Sequence, residues 1–282
     1  MSRRLYILGC VTILLVLSMT ACSSGNNNKN NNNNSTNNTS TPSSSPTSTP
    51  TSSPAISPPH NGELSLVQET EHGLFYSPDA TEKVSDMIQT LANSFEANYP
   101  RIVGLFKYEP SGKTVVHVYS NKNQFQKMIG RSTEGTYVAE ENIIKVYTPS
   151  SFSNQKNEDE YTFQVIHEFI HAVIQQINPA IGQVKFLDEG IAYYVSNQLE
   201  AELQTRTNFA DIPTFEQLSS PEYFDKSGHE AYFFSGTIVR YISNKYGVDA
   251  LNELIKNPEQ IEQILNISLN QLYEQWSEDL RK

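Results

Sequence analysis

Cysteine is nearly missing from this chain, with Cys10 and Cys22 the only two in 282 residues. That excludes a disulfide scaffold and any cysteine-rich zinc site. Basic residues are scarce as well, 20 against 31 acidic ones, for a net charge of −11. A nucleic-acid binder carries the opposite balance, so no nucleic-acid partner is expected. A membrane-spanning run is absent: the apolar stretch Leu5 to Leu17 has about 13 residues, where a spanning helix needs about 20. The hydrophobic fraction, 37%, is low for a globular enzyme, but the deficit is concentrated at the N-terminal end. There is no internal repeat. The length allows one or two domains.

Arg3 and Arg4 precede the apolar run, and Ser18-Met19-Thr20-Ala21-Cys22 closes it with small residues. A short basic start, a modest apolar stretch and a small-residue cleavage point predict a secretory signal peptide over residues 1–21. Met19-Thr20-Ala21-Cys22 also resembles the bacterial lipobox, although Met19 stands where that pattern most often has Leu. The resemblance implies lipidation at Cys22 and a mature chain anchored to a cell membrane on its extracytoplasmic side. Residues 22–60 consist mainly of Asn, Ser, Thr and Pro, with Lys29 the only full charge. Such a segment cannot bury enough surface to offset its ordering entropy, so a disordered tether is expected. As a flexible coil it would span about 35 Å.

Residues 61–282 are long enough for one substantial core. A first strand is expected within Glu63 to Tyr76. Val84, Met87, Ile88, Leu91, Ala92 and Phe95 recur at helical spacing over Ala80 to Tyr99, and Tyr99-Pro100 should interrupt that helix. Thr114 to Tyr119 reads as a strand, Asn121 to Ile129 as a short helix, and 136–139 with 142–147 as a hairpin. From Glu158 onward the pattern is mostly helical, and Ser268 to Gln271 starts a last helix whose Leu272, Tyr273, Trp276 and Leu280 suit packing. Strands first and helices after predict an α+β domain with a small mixed or antiparallel sheet.

One helix carries chemistry. Asn157 to Asn178 has an apolar stripe of Ile166, Phe169, Ile170, Val173, Ile174 and Ile177; Asn157 with Glu160 suits a capping box, and Asn178-Pro179 ends the helix. Beside the stripe lies His167-Glu168-Phe169-Ile170-His171. Histidines four apart share one face, one turn from each other, close enough to grip a single Zn²⁺. Glu168 sits at the neighbouring edge, where its carboxylate could take a proton from water on the metal. The competing reading is a pair of hydrogen-bonded histidines at the edge of the core. Catalytic zinc takes three protein ligands and leaves a position for water, so a third is needed.

Phe186-Leu187-Asp188-Glu189-Gly190-Ile191-Ala192 follows. Here the chain resembles the gluzincin group of zinc metallopeptidases, in which an HExxH helix is followed by a second helix with a Glu ligand in an E-G-x-A-like motif. The resemblance implies Glu189 as third ligand. Asp188 competes for that role, or serves as a helix cap or as acceptor for a histidine N–H. Tyr193 departs from the thermolysin-like pattern, which has Asp there. The metzincin continuation fails, because Ile174 and Ile177 stand where it needs Gly and His. A further helix starting near His229, with Ser227 and Glu230 as its expected capping box, looks like the one that brings a Tyr to the gluzincin site. On that likeness Tyr232 holds the oxyanion, with His229 as rival donor.

The resemblance further implies that residues 135–147 supply an edge strand over the cleft, pairing with extended peptide. It implies a peptide or protein substrate, one Zn²⁺ on His167, His171 and Glu189, and Glu168 as general base. Two imidazoles and a carboxylate would also accept Co²⁺ or Mn²⁺. No G-x-M-E-N-like motif offers an anchor for a substrate α-amine, so an endopeptidase is expected rather than an aminopeptidase. The alternative from another class is a non-catalytic surface binding module. A monomer is the default expectation.

Overall fold

The computed structural model describes residues 63–282, apart from 207, 208 and 210. The expected signal peptide, the lipidated Cys22 and the tether lie outside the described residues. Five strands form one mixed sheet: β1 (Ser65–Glu69), β2 (Gly73–Ser77), β3 (Thr114–Tyr119), β4 (Gly135–Val138) and β5 (Ile143–Tyr147), in the order β1-β2-β3-β5-β4. The central pairs β2–β3 and β3–β5 are parallel, while β1–β2 and β4–β5 are antiparallel. β4 is therefore an edge strand. The single strand expected over Glu63 to Tyr76 is two strands folded on each other, because Thr70 and Gly73 close a turn: Thr70 N–H donates to the Gly73 carbonyl at 2.9 Å.

One face of the sheet is covered by two long helices, α1 (Glu82–Phe106) and α3 (Gln155–Ile177). Alternate strand residues Phe75, Val116, Val118, Ile144 and Val146 turn inward and are buried with Ile88, Leu91 and Phe95 of α1 and Ile166, Phe169 and Ile170 of α3. α1 continues past the expected break and contains Pro100. A proline deletes one backbone hydrogen bond, but the turns beyond it bury Ile102 and Phe106, and burying two such side chains is worth about 3–6 kcal/mol. The short helix α2 (Lys122–Ile129) starts as expected at Asn121, whose side chain accepts from Gln124 N–H.

α3 begins two residues before its expected start. Asn154 is extended and accepts from Asn157 N–H at 3.0 Å, so the pair Asn157 and Glu160 is not the cap. Asn178 ends α3 as expected and then accepts from Ala180 N–H at 3.0 Å, opening a 3-10 turn over Pro179–Gln183. That turn reverses the chain into α4 (Lys185–Val195), followed by α5 (Gln198–Leu203), α6 (Phe215–Ser219), α7 (Pro221–Ser227), α8 (His229–Lys256), α9 (Ile261–Leu265) and α10 (Leu269–Leu280). Strands followed by a helical half make the domain α+β, as the order of patterns implied.

α4 and α8 approach closely because Gly190 has no side chain: a Cβ there would sit 2.4 Å from the Ser235 carbonyl oxygen. α8 is not capped by Ser227. Gly228, at φ +49°, precedes it without a side-chain cap, and Glu230 instead accepts from Arg206 Nη2 at 2.6 Å. The expected box at Ser268 and Gln271 is present. Trp276 is buried and donates its Nε1–H to Thr237 Oγ1 at 3.1 Å, which places it in the core. Among the described residues, no helix is long and apolar enough to cross a membrane.

Candidate metal centre

Helical spacing on α3 puts His167 and His171 one turn apart with Glu168 beside them, and all three side chains are buried. The reversal after Asn178 brings α4 back across them. Glu189 Oε2 then lies 3.2 Å from His171 Nε2 and 3.4 Å from His167 Nε2, and the two Nε2 atoms are 3.1 Å apart. Three atoms so spaced outline one face of a tetrahedron whose centre is about 2.0 Å from each corner, the bond length of zinc to imidazole and carboxylate.

The protons argue the same way. His171 Nδ1 lies 2.8 Å from Asp188 Oδ1, and His167 Nδ1 lies 2.7 Å from the side-chain oxygen of Gln198. Neither oxygen can donate, so both imidazoles carry a proton on Nδ1 and, in their neutral form, present an Nε2 lone pair toward the Glu189 carboxylate. Three acceptors converging at this range repel unless a positive centre lies between them. The donor set, two imidazoles and one carboxylate, suits a borderline divalent cation such as zinc. The ionisation equilibria lean toward positive charge in the same place. Burial opposes the His171 imidazolium, but Asp188 and Glu189 outweigh it and hold its pKa well above the usual histidine value. Burial likewise opposes the Glu189 carboxylate, which His171 and His167 nonetheless keep well below the usual carboxylate range.

The structure thus brings together the four sequence-selected residues His167, Glu168, His171 and Glu189. Asp188 is not among the converging atoms. It does not cap α4 but sits in its first turn and accepts from His171. Glu168 Oε1 accepts from Gln164 Nε2 at 2.7 Å. Its pKa is raised, chiefly by burial, against the pull of the two histidines. The edge strand lies directly on this carboxylate: a Cβ at Gly135 would come within 2.5 Å of Glu168 Oε1.

These groups open into a cleft of about 710 Å³, walled by β4 on one side and by α4 and the start of α8 on the other. Tyr232 lines it, with its ring centroid 6.3 Å from that of His167. Burial raises the Tyr232 phenol above its usual pKa, helped by the charges of Glu189 and Glu168, so it stays protonated. His229 is on the same wall but is turned outward, with 83% of its side chain exposed and Nδ1 3.8 Å from Glu202. Of the two proposed oxyanion donors, Tyr232 is the one aimed inward. Tyr193 donates its hydroxyl to Glu202 and takes no part in the cluster.

Three neighbours escaped the sequence reading. Gln164 lies one helical turn before Glu168, a spacing that could have revealed it. Gln198 is 31 residues from His167 and reaches it through a left-handed Asn197 at φ +73°, which leaves no local signal. Lys185 Nζ is 3.5 Å from Glu189 Oε1 and 3.7 Å from Asp188 Oδ2, partly offsetting the negative charge. No known protein family's sequence profile matches the chain, and no curated protein matches its sequence. The likeness to gluzincins is carried by the His167–His171 and Leu187–Ala192 motifs alone.

Proposed function

We propose that this chain is a zinc-dependent metallopeptidase of gluzincin type, acting as an endopeptidase and held at a membrane surface through Cys22. The observation that supports it best is the cluster of three lone-pair donors whose neighbouring protons are already committed, with a buried carboxylate beside it and a cleft in front. His167 Nε2, His171 Nε2 and a Glu189 oxygen would hold the ion. A bound zinc ion supplies Lewis-acid polarisation of a carbonyl and lowers the pKa of water toward neutrality. Glu168 takes a proton from the attacking water and delivers it to the leaving amine nitrogen. The Tyr232 hydroxyl donates a hydrogen bond to the developing oxyanion. β4 offers its free edge to an extended peptide, which sets the scissile bond over Glu168.

The test is zinc content and peptide hydrolysis of the purified chain beside three variants. One zinc ion per chain is expected, lost in Glu189→Ala and retained in Asp188→Ala with affinity about 10–100-fold weaker. Glu168→Gln should keep the zinc and lose at least about 100-fold in kcat. A parent chain that takes up no zinc at neutral pH overturns the reading. Zinc without turnover of any peptide would make the chain a tethered binding module.

A further inference from the structure

The cluster carries a chain of side-chain amides that the chemistry above does not use. Gln198 Oε1 accepts from His167 Nδ1 at 2.7 Å and from the buried Ser196 hydroxyl at 3.1 Å. With its oxygen doubly engaged, Gln198 turns its amide N–H to Gln164 Oε1 at 3.3 Å. Gln164 in turn donates its Nε2–H to Glu168 Oε1 at 2.7 Å. Every link has one donor and one acceptor, so the direction of the whole chain is set at its Glu168 end. An ionised Glu168 can only receive a hydrogen bond, so Gln164 gives its N–H there, takes one from Gln198 on its oxygen, and leaves the Gln198 oxygen to accept from His167.

We propose that Gln164 and Gln198 form a two-amide relay that couples the orientation of His167 to that of Glu168. Gln198 fixes the proton of His167 on Nδ1 and so aims its Nε2 lone pair into the cluster. Gln164 fixes Glu168 through Oε1, which leaves Oε2, engaged by no hydrogen bond among the described residues, as the oxygen that receives the proton. Neither amide belongs to the ligand trio. Their part is positioning, and because Gln164 also braces Gln198, loosening the end at the base is felt at the ligand. This inference rests on the zinc reading for its consequence, though its hydrogen bonds stand without it.

The experiment measures zinc affinity, by competition with a chromophoric chelator, for the full chain and for Gln164→Leu, Gln198→Leu and the double variant. Gln198→Leu should weaken binding about 10–100-fold. Gln164→Leu, though it touches no ligand of the trio, should weaken it about 3–10-fold, and should add less than about twofold once Gln198 is already Leu. Equal affinity in Gln164→Leu and the parent, or the same loss in both backgrounds, overturns the relay. Gln164→Met, which preserves side-chain length, replaces Gln164→Leu if that variant does not fold.

A second arm reads the relay in the metal-free protein, where the hydrogen-bonded Nδ1 proton of His167 gives a nitrogen-edited NMR signal. The signal should be present in the parent, lost in Gln198→Leu, and shifted or broadened in Gln164→Leu. A parent that binds no zinc removes the peptidase reading, while this arm still decides the relay: an unchanged signal in Gln164→Leu overturns it.

Discussion

Gly135 shows what a missing side chain contributes at a single position. Its Cβ would fall 2.5 Å from both Glu168 Oε1 and Gln164 Nε2, so the edge strand can rest on the Glu168 carboxylate only because nothing projects there. Both obstructing atoms are ends of side chains, and these can move where backbone cannot. Gly135→Ala should therefore keep the fold within about 1 kcal/mol, while displacing Glu168 and lowering kcat by roughly 10–100-fold. Urea unfolding and steady-state kinetics on the same preparation separate the two effects. A variant that loses stability while each folded molecule turns over normally would refute this account. The residue scale is also where the sequence was most readable. His167, Glu168 and His171 declare themselves by spacing within one helix, and Glu189 by a short motif next to a chain reversal. Gln198 does not, because a glutamine carries no chemical signature and its contact depends on where α4 stops.

Among the elements, the link between α4, α5 and α8 runs through one carboxylate. Glu202 of α5 accepts from the Tyr193 hydroxyl of α4 and from Arg206 Nη1 at 2.7 Å, and Arg206 reaches on to Glu230 of α8. Burial would raise the Glu202 pKa, but His229, Tyr193 and Arg206 outweigh it and bring it down to about 2. In the unfolded chain the same group titrates near 4.3. The folded state thus binds this proton less readily. Its stabilisation is complete above about pH 5 and is lost as pH falls toward 2. Glu202→Gln should cost roughly 1–3 kcal/mol at pH 7, with the gap to the parent closing between about pH 5 and pH 2. A gap that stays constant with pH in denaturant titrations would show that the carboxylate charge is not what matters. Element boundaries followed the sequence at Thr114–Tyr119 and at the Ser268 cap, and slipped by two residues at α3, where Asn154 rather than Asn157 is the cap. Two further departures were decided by long-range contacts. Pro100 reads locally as a stop, yet α1 runs on because Ile102 and Phe106 have a core to enter. Ser227 reads as a cap, yet Glu230 is engaged by Arg206.

At the scale of the whole molecule, the candidate ligands come from two different bodies of packing. His167 and His171 belong to α3, which lies on the sheet beside α1, whereas Glu189 belongs to α4, which is locked against α8 at Gly190. An ion held by all three would fasten the sheet layer to the helical half. Without one, the same three groups lie within 3.4 Å of each other with only the proton that His171 takes up to draw them together. A zinc ion held by the three candidate ligands should therefore act as a folding ligand. At free zinc about 100-fold above its Kd, linkage gives about 2.7 kcal/mol. For a domain of this size each kcal/mol moves Tm by about 2–4 °C, so chelation should lower the melting temperature by about 5–10 °C. Glu168→Gln, which keeps all three candidate ligands, should show the same drop. Glu189→Ala should show almost none, since it has no ion to lose. A chelator effect that persists undiminished in Glu189→Ala would place the stabilising metal elsewhere, and with it the reason for α4 to cross α3 where it does.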